Sequence, residues 1–132
     1  MFKKRRFVFI LIVSLILMRS AMADIRKDCR KESKVSWAAL RKMKSGDFEQ
    51  EDPKLKCYVL CFMRKNGILD KDAEVDVERA LRHLPRSLHD SSRKLFDKCK
   101  SLQGKDPCDK AFQMAKCYIG YHPEILHSVP FL

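Results

Sequence analysis

The sequence predicts an all-α protein, a compact bundle of about six short helices held together by three disulfides. Apolar residues recur with helical spacing through most of the chain, and no window of comparable length alternates as a half-buried strand would. The six cysteines are an even number in a chain of 132 residues, which is typical of a small secreted disulfide framework. A chain of this length forms one small domain.

The N-terminal segment has the three parts of a secretory signal peptide. Basic residues at positions 3–6 precede an apolar run of twelve residues, Phe7 to Met18, and Ala21-Met22-Ala23 supplies small residues for cleavage. The alternative is a membrane anchor, but a membrane span needs about 20 apolar residues and this run is shorter. We therefore expect removal of residues 1–23, which leaves a secreted, extracellular domain of residues 24–132.

Removal of the signal peptide lowers the net charge from +11 to +6, because 23 basic and 17 acidic residues remain. Five basic residues gather near the new N-terminus: Arg26, Lys27, Arg30, Lys31 and Lys34. A basic helix face of this kind attracts nucleic acid, anionic lipid or an acidic partner, although a solvated face explains the same residues. No aromatic residues are interleaved and no nucleic-acid-binding motif is present, so we expect no nucleic-acid partner.

Start and stop signals define the first helices. A helical stretch should carry Cys29, Ser36 is suited to cap WAALRKMKS, and Gly46 is suited to end that helix. The next helix should begin at Pro53, carry apolar residues at positions 55, 58, 59, 62 and 63, and end at Gly67.

Three further segments have the same apolar period. EVDVERALRHL places apolar residues on one face before Pro85 ends the helix. SLHDSSRKLFDKCKSL and DPCDKAFQMAKCYIGY follow. The expected inward residues of the three segments are Val77, Ala80, Leu81 and Leu84, then Leu88, Ser91, Ser92, Leu95, Phe96 and Cys99, then Cys108, Ala111, Phe112, Ala115, Tyr118 and Ile119.

Helix geometry limits which cysteines can pair. Cys57 and Cys61 share a helix face and point outward together, not toward each other. Cys108 and Cys117 lie on opposite sides of their helix, about 13.5 Å apart along its axis, which is too far for a disulfide. Excluding these two pairs leaves about ten of the 15 pairings that six cysteines allow, and periodicity does not choose among them.

Metal binding and catalysis are both disfavoured by the spacing of the polar residues. The four histidines, His83, His89, His122 and His127, fall at no ligand spacing beside a cysteine pair, so we expect no metal or other cofactor. His89-Asp90 lacks the adjacent cysteines and the glycine-rich loop of the small secreted phospholipases, and no Gly-x-Ser-x-Gly or His-Glu-x-x-His motif occurs. We expect that the protein is not an enzyme.

The cysteine spacing resembles that of a known family. The pattern Cys29-x27-Cys57-x3-Cys61-x37-Cys99-x8-Cys108-x8-Cys117 is similar to that of the six-cysteine insect odorant-binding proteins, which include the pheromone-binding and general odorant-binding proteins. GDF, LKCYVLCFMRKNGILD and DPCDKAFQMAKCY look like segments of that family in the same order, so the resemblance covers essentially the whole mature chain. It implies the disulfides Cys29–Cys61, Cys57–Cys108 and Cys99–Cys117, which are among the pairings that helix geometry leaves.

The resemblance implies an apolar cavity inside the bundle. It also implies a secreted carrier of odorants, pheromones or similar lipidic ligands in chemosensation. A secreted non-chemosensory effector or interaction protein on the same scaffold is the alternative. The implied partners are a small hydrophobic ligand and a membrane chemoreceptor, and the chain should be a monomer or a weak homodimer.

The inward faces mix small and bulky residues, which is typical both of close helix packing and of a wall with room for a ligand. The resemblance favours the wall. Tyr118 and Ser92 could then offer hydroxyls to an alcohol, aldehyde or ester. The predicted ligand-binding residues are Val77, Leu84, Leu88, Ser92, Leu95, Phe96, Phe112, Ala115, Tyr118, Ile119 and Phe131.

The C-terminal tail, His122 to Leu132, ends in four apolar residues, VPFL with proline included, which a disordered tail would have little reason to carry. We predict that this tail folds back as a lid over the cavity. Some relatives release ligand on acidification through such a segment. The resemblance therefore permits a pH switch here, in which His122 or His127 would gain charge under the lid.

Overall fold

The structure, a computed structural model, describes residues 2–128, except the side chains of residue 2 and residues 18–23. Within residues 2–128 it contains a 3₁₀ turn, Arg86–Leu88, and no β-strand beyond one isolated bridge between Leu69 and Val75. The prediction of an all-α bundle is confirmed. The helices are α1 (Phe2–Ser33), α2 (Trp37–Lys44), α3 (Pro53–Lys65), α4 (Val77–Arg82), α5 (His89–Cys99), α6 (Pro107–Tyr121) and α7 (Ile125–Ser128).

Short polar side chains start four of these helices by accepting hydrogen bonds from otherwise unpaired N–H groups of the first turn. These N-caps are Ser36, Asp52, Asp76 and Asp106. Proline follows the cap of α3 and of α6, where its missing N–H costs nothing. Gly67, with φ at +72°, allows the chain to turn away after α3. The Ser36 cap and the stop at Gly67 agree with the prediction.

The first helix carries Cys29, as expected, and it continues without interruption from the N-terminal apolar run, because no glycine or proline lies between that run and Cys29. The side chains of residues 3–17 are exposed, and the described members of the core begin with Ile25 and Cys29. The core is therefore built from residues that follow the predicted cleavage position, which itself stays a prediction. No helix within residues 2–128 combines the length and apolar character needed to cross a bilayer.

The bundle is organised around α3, which packs against α1 and against α6. Its inward residues Leu55, Tyr58, Val59 and Phe62 are buried. On the other side of α6, α5 packs against both α4 and α6. As a result, α6 lies between the closely packed part of the bundle and the part formed by α4 and α5.

Three disulfides join neighbouring helices. Cys29–Cys61 links α1 to α3, Cys57–Cys108 links α3 to α6, and Cys99–Cys117 links α5 to α6. These are the pairs that the family resemblance implies. Disulfides typically contribute about 2–4 kcal/mol each, mainly by restricting the unfolded chain, so this frame supports a small domain whose core need not be completely solid.

A buried ion pair lies beside the α3–α6 disulfide. Lys56 Nζ donates to Asp109 Oδ1 at 2.8 Å and to Glu51 Oε2 at 2.9 Å. Asp109 also accepts from the backbone N–H of Lys105 at 2.9 Å and from Gln113 Nε2 at 3.2 Å. The hydrogen bond from Lys56, helped by those from Lys105 and Gln113, holds the pKa of Asp109 well below its usual range. The charges are therefore well compensated at a site with little access to water.

Candidate ligand-binding cavity

A cavity of about 80 Å³ lies between α3, α4, α5, α6 and α7. Its wall is almost entirely apolar. The residues that line it are Met63 of α3, Ile68 and Val75 of the following connection, Ala80, His83 and Leu84 at α4, Phe96 and Cys99 of α5, Met114, Ala115, Tyr118 and Ile119 of α6, and Ile125 of α7.

The C-terminal half of α6 supplies the largest share of this wall. Met114, Ala115, Tyr118 and Ile119 fall on one helix face because they are spaced by one, three and four residues. Ala115 presents only a methyl group between its larger neighbours. The face therefore has more space at Ala115 than at the other three residues.

The hydroxyl of Tyr118 is the main polar group of the wall, and it already has a partner. It forms a 2.8 Å hydrogen bond with the Ser92 hydroxyl, which is fully buried behind it on α5. The Tyr118 ring stacks on Phe96, with ring centroids 4.9 Å apart, and burial raises the pKa of Tyr118. A ligand hydroxyl or carbonyl could join the Tyr118–Ser92 pair as a third member, because the hydroxyl that accepts within the pair still has its own O–H to donate, and both oxygens keep lone pairs that accept.

His83 contributes a second polar edge to the wall. Its Nε2 lies 3.0 Å from the carbonyl oxygen of Asn66, the residue that ends α3. A carbonyl can only accept, so Nε2 carries the proton in the neutral ring and Nδ1 is left as an acceptor. The same bond ties the end of α4 to the end of α3 at the edge of the cavity.

The described part of the tail packs back onto the bundle. Ile125 lines the cavity and Leu126 is buried beside it in the core. His122 packs against Tyr118 with its ring tilted and the ring centroids 5.4 Å apart, and its Nδ1 lies 2.9 Å from Glu124 Oε1. Residues 129–132, which include Phe131, lie outside the described residues.

The predicted ligand-binding residues divide into two groups within residues 2–128. Five of them line the cavity: Leu84, Phe96, Ala115, Tyr118 and Ile119. Ser92 lies one layer behind Tyr118, and the others belong to the surrounding core or its edge: Val77, Leu88, Leu95 and Phe112. Phe112 packs instead on Phe48, with ring centroids 5.6 Å apart, because the N-terminal half of α6 faces α3.

The wall also contains residues that the sequence did not single out. Met114 lies one turn before Tyr118, so the period of α6 contains the signal for it, and Met63 is among the apolar positions predicted for α3. Ile68 and Val75 lie in the irregular connection between α3 and α4, where no periodicity indicates which side chains turn inward. Among the described residues, no group of His, Cys, Asp and Glu side chains is arranged to hold a metal ion.

Comparison with known proteins gives a consistent answer. The PBP/GOBP family model matches residues 17–121. The B2 protein of Tenebrio molitor is 33% identical over 73% of this chain and 75% of that protein, and general odorant-binding protein 69a of Drosophila melanogaster is 28% identical over 77% and 69%.

Solved structures agree with the sequence relatives. The fatty acid binding protein OBP56a from the oral disk of the blowfly Phormia regina superimposes with a TM-score of 0.66 at 30% identity, covering 81% of this chain and 93% of that one. A medfly odorant-binding protein gives a TM-score of 0.68 at 28% identity, covering 80% and 90%. The chain therefore belongs to the PBP/GOBP family of odorant-binding proteins.

Proposed function

We propose that this protein is a secreted carrier that binds a small hydrophobic molecule in the cavity beside α6, and that it serves chemosensation. The observation that carries this proposal is the wall itself: an almost wholly apolar surface, with two polar contacts, inside a disulfide-linked frame. Pockets that bind small molecules combine these features, because apolar area provides affinity and a few polar groups set orientation. Membership of the family supports the same function.

Ligand entry should widen the cavity. At about 80 Å³ it is smaller than the engineered cavity of about 150 Å³ that accommodates benzene in another protein. Two wall residues, Met63 and Met114, have flexible unbranched side chains that adapt to different shapes. Ile125 belongs to a helix of only four residues, so this part of the wall is the easiest to displace.

The ligand class that fits best is an aliphatic molecule with one polar end. The chain would lie against the apolar wall, and the polar end would reach the Tyr118–Ser92 hydroxyls or the free Nδ1 of His83. The blowfly relative is described as a fatty acid binding protein, which supports this shape. Burying about 300 Å² of ligand at about 25 cal/mol/Å² yields roughly 7.5 kcal/mol, which corresponds to a few micromolar before association costs, so we expect dissociation constants in the micromolar range or weaker.

The tail fits the proposed lid in its described part, because Ile125 forms wall and Leu126 is buried. The contact between His122 and Glu124 indicates whether acid would open or retain this part of the tail. Protonation of His122 would create an ion pair with the neighbouring carboxylate, whose pKa is lowered by its own backbone N–H and by His122. Mild acid should therefore retain this contact. We propose a lid without an opening switch at His122.

The test is a binding titration with a hydrophobic fluorescent probe, N-phenyl-1-naphthylamine, on delipidated protein. We expect saturable binding and displacement by linear alcohols and fatty acids, with affinity that rises with chain length until the widened cavity is full. Folded protein that gives no saturable binding would contradict the carrier proposal and would favour a non-chemosensory interaction protein. Detection of the transcript in antennae or mouthparts would test the chemosensory role separately.

A further inference from the structure

The outward face of α2 is strongly cationic. Arg41, Lys42 and Lys44 are exposed, and the chain contains no acidic residue from position 34 to position 45. Within residues 2–128, none of these three side chains takes part in a salt bridge, whereas Lys56, Lys65 and others do. Their charges are therefore available to an anionic partner.

The tryptophan of this chain lies on the same face. Trp37 is the sole tryptophan in the sequence and is 52% exposed at the start of α2. Arg30 of α1 lies over its ring, with the guanidinium carbon 4.4 Å from the ring centroid. Arg41 follows Trp37 by one helical turn, so cations flank the ring from two helices. The face therefore combines one half-exposed aromatic ring with several cations, and the interface of an anionic membrane interacts favourably with both kinds of group.

The opposite face of α2 holds the helix in place. Ala39, Leu40 and Met43 are buried in the core, and Gln50 Nε2 donates to the carbonyl oxygen of Ala39 at 3.1 Å. The outward side chains are thus presented from a fixed backbone, and no residue of α2 lines the cavity. The cationic face is structurally separate from the ligand-binding wall.

We propose that this face, defined by Arg30, Trp37, Arg41, Lys42 and Lys44, docks on the surface of an anionic lipid bilayer. Tryptophan is enriched at membrane–water interfaces because its ring is apolar and its N–H is polar. Basic residues near an anionic leaflet each raise surface affinity about fivefold, and binding by such surfaces depends on both contributions together. Trp37 is half exposed among cations, so the face offers positive charge and one amphipathic ring, the combination that an anionic bilayer surface binds without a matching pocket.

The test uses the chain that remains after removal of residues 1–23, because the described core begins with Ile25 and all three disulfides lie between Cys29 and Cys117. Phosphatidylcholine vesicles are compared with vesicles that contain 30% phosphatidylserine, and partition is measured by co-sedimentation. Because Trp37 is the only tryptophan, its emission reports this face alone. We expect binding to the anionic vesicles, a blue shift of the emission, quenching by brominated lipid, and release by high salt.

Two variants locate the contact. R41Q/K42Q/K44Q should lower partition roughly 100-fold, at about fivefold per cation. R82Q/R86Q/K94Q removes the same charge from exposed residues outside the docking face. It should lower partition by no more than about threefold, because it changes the net charge and leaves the contact cations in place. W37A, measured by co-sedimentation, should lower partition while the salt dependence remains.

Several results would overturn the proposal. One is that the protein fails to bind anionic vesicles although circular dichroism shows that it is folded. Binding to polyglutamate or heparin without binding to the vesicles would count as the same result. Others are vesicle binding without a change in Trp37 emission, or equal loss in the two triple variants. Ligand binding is read separately with the hydrophobic probe, so failure of the docking face leaves the proposed carrier function intact, and the reverse also holds.

Discussion

The two halves of α6 have opposite roles. In the N-terminal half, Cys108 is bonded to α3, Asp109 is in the buried ion pair, and Phe112 is almost completely buried against the core. In the C-terminal half, Ala115 and Tyr118 face the cavity. Each half carries one disulfide, but the N-terminal half packs closely against α3 and the C-terminal half forms a wall of the cavity.

The difference shows how a small domain can be hollow. A cavity removes dispersion contacts from the residues that line it, so a chain of this size needs stabilisation elsewhere. The α3–α6 seam, defined by the Cys57–Cys108 disulfide and the Lys56–Asp109 ion pair, supplies it through the disulfide and the close packing around it. The wall can then change shape around a ligand without unfolding the bundle.

The largest loss of stability should follow from breaking the ion pair of the seam. Asp109→Ala would leave Lys56 buried with only the exposed Glu51 as its partner, so we expect the free energy of unfolding to fall by about 3–5 kcal/mol in urea denaturation. Glu51→Gln is the matched control, since it removes the exposed partner of the same lysine, and it should cost much less. Similar losses of stability in the two variants would contradict the idea that the buried carboxylate of Asp109 matters more to Lys56 than the exposed one of Glu51.

The same pair should give the protein an acid-sensitive stability. The folded-state pKa of Asp109 is depressed below the unfolded value of about 3.9, so its contribution is complete above that value and is lost as the pH falls through the folded-state pKa. Stability of the wild type should therefore decline below about pH 4 more steeply than that of Asp109→Asn, as measured by urea midpoints. If the stability of both proteins declined equally with falling pH, Asp109 would not be the source of the acid sensitivity.

The two α6 disulfides should differ in their contribution. Replacing both cysteines of Cys57–Cys108 with serine should cost about 2–4 kcal/mol, and replacing both of Cys99–Cys117 should cost about 1 kcal/mol less. The reason is that the first bond joins residues 51 apart and the second joins residues 18 apart, so they restrict the unfolded chain differently. Denaturant unfolding of the two double variants compares them, and the reverse order would show that native contacts outweigh loop length.

Enlarging alanines on α6 should separate the seam from the wall. Ala111 is fully buried outside the cavity, so Ala111→Leu should cost about 1–3 kcal/mol through overpacking. Ala115 lines the cavity, so Ala115→Leu should leave the unfolding free energy nearly unchanged. Thermal denaturation of the pair measures this, and an equal loss at both positions would mean that the wall is packed as closely as the seam.

The smallest effect should come from the hydroxyl pair. Tyr118→Phe leaves the buried Ser92 hydroxyl without its partner, which should cost about 1 kcal/mol. Adding Ser92→Ala should restore part of this loss, because no polar group is then left unpaired. A double variant less stable than Tyr118→Phe would show that Ser92 has another role.

Local physics accounts for what the sequence could predict. The Ser36 cap, the stop at Gly67 and the inward period of α6 are encoded by residues close together in the chain. The disulfide pairs came through the family resemblance, since helix geometry left about ten alternatives. Phe112 is predicted to bind ligand, but it lies in the core. A helical period identifies which side chains point inward, but it does not identify what those side chains contact.

The remaining differences have the same origin. Ile68 and Val75 reach the cavity from an irregular connection, where backbone turns and not periodicity set side-chain direction. The length of α1 follows from the absence of glycine and proline in that part of the chain. The signal-peptide pattern of the same residues gave no indication of how far the helix would extend. The lack of acidic partners for the cations of α2 could not be predicted from the sequence, because it depends on the three-dimensional positions of the described acidic residues.

The most direct test of the ligand cavity is a titration of Ala115→Leu and Ala111→Leu with the same hydrophobic probe, normalised to the folded fraction of each. The added isobutyl group at position 115 should occupy space that the ligand needs, so the account predicts at least about tenfold weaker binding, or about 1.4 kcal/mol. Ala111→Leu, on the same helix but outside the cavity, should bind as the wild type does. Unchanged binding by Ala115→Leu, or an equal loss in both variants, would contradict a ligand site at this wall.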